Sequence, residues 1–134
     1  MTPRKRLPTA VLVEDSSTFR LFLRQSLSRI GVAVAAETDS GDDALALFEE
    51  HRPDLVVMDL VLRGMDGVRA SERLLAHHPR ALVVVCSSRV LRPEVDALRR
   101  AGVAHFLMKP VTSARLQDVV SRLVSGDVRL RKAA

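Results

Sequence analysis

Two hydrophobic periodicities alternate along the chain. Short apolar runs occur at Ala10–Val13, Val32–Ala36, Leu55–Met58, Leu82–Cys86 and Val103–Leu107. They are rich in Val and Leu and do not alternate with polar residues, which is the pattern of strands covered on both faces of a parallel sheet. Between them lie stretches with helical spacing. Phe19, Phe22, Leu23, Leu27 and Ile30 fall at i, i+3, i+4, i+8 and i+11. Leu116, Val119, Val120, Leu123 and Val124 fall at i, i+3, i+4, i+7 and i+8. Each set is one buried stripe of an amphipathic helix. Residues 42–51, 67–77 and 93–101 also read as helices, with weaker periodicity.

The punctuation agrees with this division. Pro53, Pro79 and Pro110 fall between elements, and Pro93 suits a first helical turn. Gly31 and Gly102 follow helical stretches, where a left-handed cap is wanted. The predicted fold class is α/β: five β–α units, (βα)5, doubly wound around a parallel sheet with right-handed crossovers. Such a sheet places its working site at the carboxyl ends of the strands.

Size and charge sharpen the picture. The chain has 134 residues, 47% of them hydrophobic and 28% charged, enough for one domain with a real core. Its net charge of +5 at first suggests a nucleic-acid partner. The excess, however, sits at the ends. Residues 1–8 carry Arg4, Lys5 and Arg6 with no acid, and residues 126–134 carry Arg129, Arg131 and Lys132 against Asp127. The body, 9–125, holds 15 basic and 15 acidic residues and is neutral. The expected organisation is a basic extension over 1–8, one domain over 9–125 and a basic tail over 126–134. With no Trp or Tyr and four Phe, the stacking surface of a nucleic-acid binder is missing.

Other classes fall quickly. The single Cys86 excludes an internal disulfide framework and a Cys-rich metal site. No apolar run approaches the ~18 residues of a membrane helix, and the basic N-terminus lacks the apolar core of a signal peptide. His51, His77, His78 and His105 show no metal-ligand spacing. The expectation is a cytoplasmic protein with no membrane partner.

Four strand ends carry chemistry. The first reads Val13-Glu14-Asp15-Ser16, the third Val57-Met58-Asp59-Leu60, and the fifth Leu107-Met108-Lys109-Pro110, while the fourth ends at Ser87. Asp59 interrupts an apolar run, and an isolated buried carboxylate costs several kcal/mol. Two further carboxylates at the same edge raise the cost through like-charge repulsion. A divalent cation with oxygen ligands, Mg²⁺ above all, resolves it. Asp59 capping the next turn at the surface is the plainer reading, and the neighbouring Glu14-Asp15 pair argues against it. Ser16 or Ser17 is expected to cap the first helix and Asp66 the third. Lys109 stands out because the body holds 14 Arg and this one Lys. A compact ammonium on a flexible stem reaches an Asp or phosphoryl oxygen where a planar fork does not fit.

These residues resemble the receiver domain of two-component response regulators, of the chemotaxis-regulator type. The resemblance covers about residues 8–125. It rests on Val-Glu-Asp-Ser at 13–16, Pro-Asp-Leu-Val-Val-Met-Asp at 53–59, Met-Asp-Gly at 65–67, Ser87 and Lys109-Pro110, in the family's order. It implies a flavodoxin-like sheet in the order 2-1-3-4-5. It also implies that Asp59 is the phosphoacceptor and that Glu14, Asp15, Asp59 and the Val61 backbone carbonyl hold Mg²⁺. Ser87 corresponds to the hydroxyl that moves toward the phosphoryl group, and Lys109 to its countercharge, on a peptide bond to Pro110 that is typically cis. Phe106 corresponds to the aromatic switch. The implied partners are a sensor histidine kinase or phosphotransfer protein and a downstream protein, with a homodimer through the helix 4–strand 5–helix 5 face as a further option. The chain is expected to catalyse only its own phosphorylation and dephosphorylation. It is expected to be either a stand-alone regulator or a receiver cut from a longer one.

Departures from the family pattern carry their own expectations. Leu62-Arg63 stands where Met-Pro is usual, so the loop after Asp59 is expected to be differently shaped or more mobile. Apolar Val61 and long Arg89 are expected to obstruct the water that hydrolyses an aspartyl phosphate. Two rival readings are a receiver-like binding module that no longer uses phosphate and an aspartyl-nucleophile phosphatase of the haloacid-dehalogenase type. The second wants an acid two residues past the nucleophile, where Val61 stands. The neutral body is also polarised: residues 9–86 carry 8 basic and 12 acidic residues, and 87–125 carry 7 and 3. The basic part holds Arg92, Arg99, Arg100 and Arg115, which points to an acidic patch on a protein partner.

Overall fold

The computed structural model describes residues 6–126. The basic residues Arg4, Lys5, Arg129, Arg131 and Lys132 lie outside that range. Five strands form one parallel sheet: β1 (Thr9–Val13), β2 (Ala33–Thr38), β3 (Leu55–Met58), β4 (Val83–Ser87) and β5 (His105–Met108), in the order β2-β1-β3-β4-β5. Five helices connect and follow them: α1 (Ser17–Ser28), α2 (Ala44–His51), α3 (Gly67–His77), α4 (Arg92–Ala101) and α5 (Ser113–Val124). This is the flavodoxin-like (βα)5 arrangement expected from the sequence.

The uninterrupted apolar runs have their reason in two cores, one on each face. Along β1, Val11 and Val13 enter one core with Val56, Met58, Val83 and Val85, beneath α2, α3 and α4. Ala10 and Leu12 enter the other with Leu55, Val57, Val84 and Cys86, beneath α1 and α5. Successive strand residues point to opposite faces, so a strand with both faces covered must be apolar at every position. Leu23 and Leu27 from α1 and Leu116, Val120 and Leu123 from α5 are almost wholly buried there. Truncating any one of these leucines to alanine should cost ~2–5 kcal/mol.

The two edge strands depart from that rule. No residue of β2 is fully buried, and Met108 of β5 is 54% exposed. An edge strand is covered less completely, so the apolar runs at Val32–Ala36 and Val103–Leu107 overstate the burial. Strand β5 also begins later than its apolar run, because Val103 and Ala104 are buried in the turn that follows α4. Gly102 turns that corner at φ 104°. The stretch 42–51 opens with a 3₁₀ turn at Gly41–Asp43 before α2 proper. Ser16 and Asp66 cap α1 and α3 through the N–H groups of Phe19 and Arg69.

Candidate functional site

Glu14, Asp59 and Lys109 each stand one step beyond a strand and are still held by a ladder bond, while Ser87 is the last residue of β4. The Glu14 N–H donates to the Thr38 carbonyl, the Asp59 N–H to Val13 and the Lys109 N–H to Ser87, all at 2.9 Å. The order β2-β1-β3-β4-β5 therefore brings Glu14, Asp59, Ser87 and Lys109 to one carboxyl edge. Gly67, the first residue of α3, packs directly under Asp59. A Cβ there would lie 1.9 Å from the Asp59 carbonyl oxygen, so only glycine lets the helix start so close.

Glu14 and Asp59 are buried, 1% and 5% exposed, while Asp15 is exposed. Lys109 Nζ donates to Glu14 Oε1 at 2.7 Å and to Asp59 Oδ2 at 3.3 Å. The other Asp59 oxygen, Oδ1, accepts the N–H of Leu60 at 2.7 Å and lies 3.4 Å from that of Val61. Burial pushes the Glu14 carboxyl up; Lys109 and the Ser16 N–H pull it down, and Asp59 adds to the rise. Burial works against the Lys109 ammonium, but Glu14 and Asp59 outweigh it and hold its pKa above the usual value.

One ammonium thus serves two buried carboxylates, with the carboxylate of Asp15 beside them. Oxygen atoms of Glu14, Asp15 and Asp59 all lie within 4.8 Å of one another. This donor set is hard, anionic and under-neutralised, which suits Mg²⁺. The arrangement can bind a divalent cation and present a backbone-oriented carboxylate to an electrophile.

A family model of the response regulator receiver domain matches residues 10–121. The chain belongs to that family. It is 27% identical over 113 residues to the chemotaxis protein CheY of Thermotoga maritima, covering 84% of this chain and 94% of that one. It is 31% identical to the protein CcdB of Bacillus subtilis, covering 87% and 98%. Among solved structures, the receiver domain of the response regulator NarL from Mycobacterium tuberculosis is similar at TM-score 0.83 and 27% identity, covering 91% of this chain and 99% of that one. Receiver domains are signalling switches rather than conventional enzymes, which displaces the phosphatase reading. They usually bind Mg²⁺ at an acidic pocket and interact with histidine kinases and downstream effectors. No helix of the described residues is long and apolar enough to cross a membrane.

The remaining predicted residues of this receiver domain divide. The Lys109–Pro110 peptide bond is cis. Ser87 is buried, and its hydroxyl donates to the Arg89 carbonyl at 3.3 Å. Phe106 is half-buried, with the Arg99 guanidinium 5.9 Å from its ring centroid. Val61 is 61% exposed at the start of the β3–α3 loop. The four arginines differ in their neighbours. Arg92, Arg99, Arg100 and Arg115 are all exposed, and Arg100 also lines a groove between α3 and α4 with Glu72. Arg115 reaches His105 at 3.5 Å and Asp118 at 3.9 Å. Consecutive helix positions are rotated by about 100°, which separates Arg99 from Arg100.

The loop after Asp59 is tied to the β2–α2 loop. Arg63 forms a parallel bridge with Ser40 in the β2–α2 loop. The Gly41 N–H donates to the Arg63 carbonyl at 3.2 Å, and the Met65 N–H to Asp42 Oδ2 at 3.1 Å. Gly64 (φ 65°) leaves room for that Asp42 carboxylate, which a Cβ would meet at 2.0 Å. Sequence reasoning missed this clasp, because nothing local pairs residue 63 with residue 40. It also missed Phe19 as a neighbour of Lys109, having assigned Phe19 only to the core stripe of α1.

Proposed function

We propose that this chain is a phosphorylation-dependent switch in cytoplasmic two-component signalling. Asp59 accepts a phosphoryl group from a histidine kinase or phosphotransfer protein. The observation that carries this reading is the state of the Asp59 carboxylate: Oδ1 is anchored by backbone N–H, and Oδ2 is paired with Lys109. A carboxylate oxygen of Asp59 attacks phosphorus, the bond from phosphorus to the donor's nitrogen or oxygen breaks, and the donor leaves with that electron pair. Lys109 neutralises charge on the transferring oxygens. When bound, Mg²⁺ supplies further positive charge there, and Glu14, Asp15, Asp59 and the Val61 carbonyl would hold it.

The phosphorylated state competes for Ser87. Its hydroxyl donates to Arg89 here, and a phosphoryl oxygen offers a stronger acceptor. The Ser87 carbonyl receives the Lys109 N–H, and Phe106 on β5 touches Arg99 on α4. A shift at Ser87 therefore reaches the α4–β5–α5 face through bonded neighbours and biases two surface states. A downstream protein reads that face.

Acetyl phosphate with Mg²⁺ and intact-mass spectrometry test the reading. One added phosphoryl mass is expected on wild type and none on Asp59→Asn. Wild type that stays unmodified under these conditions overturns the proposal in favour of a phosphate-independent module.

A further inference from the structure

The Lys109 Nζ atom lies 4.2 Å from the centroid of the Phe19 ring. An ammonium has three N–H donors, and among the described residues two of them go to Glu14 and Asp59. The ring is the third neighbour of the cation. Phe19 is itself fixed, stacked on Phe22 at 5.3 Å between centroids, and its N–H donates to the Ser16 hydroxyl at 3.2 Å. The Ser16 N–H donates to Glu14 Oε2 at 2.9 Å, and Glu14 Oε1 returns to Lys109. Glu14, Ser16, Phe19 and Lys109 thus close a ring of contacts around the ammonium. Phe19 and Phe22, together with Lys109, Pro110 and Val111, also line a mainly apolar cleft of about 560 Å³.

We propose that Phe19 is a positioning residue for phosphoryl transfer, its aromatic face holding the Lys109 ammonium beside Asp59 and keeping water off it. The proposal rests on Asp59 being the phosphoacceptor. A desolvated cation interacts more strongly with both the ring quadrupole and a phosphoryl oxygen, and a fixed one needs no reorganisation when charge moves. The helical stripe requires only an apolar residue at position 19. The π-face is an additional property, and it can be varied without altering packing.

Phenylalanine carrying one, two or three fluorines, introduced at position 19, keeps the ring's shape while draining its negative face. The rate of phosphorylation by acetyl phosphate with Mg²⁺ is expected to fall stepwise along this series, by about 3–10-fold at three fluorines. Thermal midpoints should stay level. Phe19→Leu should fall at least as far, and Phe19→Tyr should restore the rate. A second readout needs no phosphorylation. The chain has three lysines, Lys5, Lys109 and Lys132, and the Lys109 ε-methylene should show an upfield ring-current shift in the NMR spectrum that Phe19→Leu abolishes. A flat fluorine series, or a Lys109 ε-methylene already unshifted in wild type, overturns the proposal. Unphosphorylated wild type with the ring-current shift intact counts against Asp59 as acceptor and in favour of the contact.

Discussion

The Arg63 N–H donates to the Asp39 carbonyl at 3.2 Å, and the Arg63 guanidinium meets the Asp39 carboxylate at the same distance. The two contacts differ in kind. The ion pair is solvent-exposed, with side chains 77% and 42% accessible, and is worth at most a fraction of a kcal/mol. The backbone bond ties the β3–α3 loop to the β2–α2 loop, and proline has no N–H to make it. Arg63→Ala should therefore shift stability by less than about 0.5 kcal/mol. Arg63→Pro, although it supplies the residue common in the family, should cost ~1–2 kcal/mol in denaturant unfolding. Equal effects would show that the clasp contributes nothing.

Glu14 makes stability depend on pH in an unusual direction. Burial raises its folded pKa above the ordinary 4.5, so the folded chain binds that proton more tightly than the unfolded chain. Its contribution is complete below 4.5 and is lost as pH rises through the folded value. Asp54 is shifted down, the Thr9 N–H and Arg6 outweighing burial, and its contribution is lost as pH falls instead. In EDTA, thermal midpoints of wild type should decline relative to Glu14→Gln as pH climbs above about 4.5. Parallel curves would contradict this.

Aspartyl-phosphate hydrolysis needs an oriented water in line with the phosphorus. Val61, exposed beside the site, has no polar atom in its side chain to orient one, and Arg89 is exposed past Ser87. The phosphorylated chain should persist for well beyond seconds, and Val61→Asn should shorten its life several-fold. Decay followed by intact mass decides, and a wild-type half-life of seconds removes the explanation.

Arg99 and Arg100 should not be equivalent toward a partner. Arg99 lies over Phe106, whereas Arg100 faces α3. Arg99→Glu should weaken capture of an acidic partner by the phosphorylated protein in a salt-dependent way, and Arg100→Glu should weaken it less. Pull-downs at two ionic strengths measure both, with sedimentation showing whether the captured partner is a second copy. Equal or absent effects argue against the α4–β5–α5 face.

Cys86 should be inert in the native protein. Burial pushes its thiol up to about 12, the nearby carboxylates adding and Lys109 opposing. At pH 8 only about one part in ten thousand is thiolate. A thiol reagent should modify it only on unfolding, and rapid native labelling would show that β4 opens.

Several features were legible in the chain alone. The apolar runs at Ala10–Val13 and Leu55–Met58 each end in carboxylates, and a buried strand cannot end so without a counterion or a site. Lys109 was legible as the one lysine among fourteen arginines of the body. These are local statements, because strand burial, caps and turns are written in nearby residues.

Other features required the folded chain. That Lys109 bonds both Glu14 and Asp59 depends on bringing together residues 95 and 50 positions apart. Residue 63 finds Asp39 because β1 lies between β2 and β3, a neighbourhood set by sheet order. Which apolar residue faces which core, that Arg99 and Arg100 part company, and that Phe19 meets a cation all follow from packing direction. The sequence determined the elements and the kinds of group at their ends, because side-chain burial and backbone preference act locally. The tertiary structure alone decided which groups meet, because charge and aromatic contacts act over a few ångströms between segments that sheet order makes neighbours.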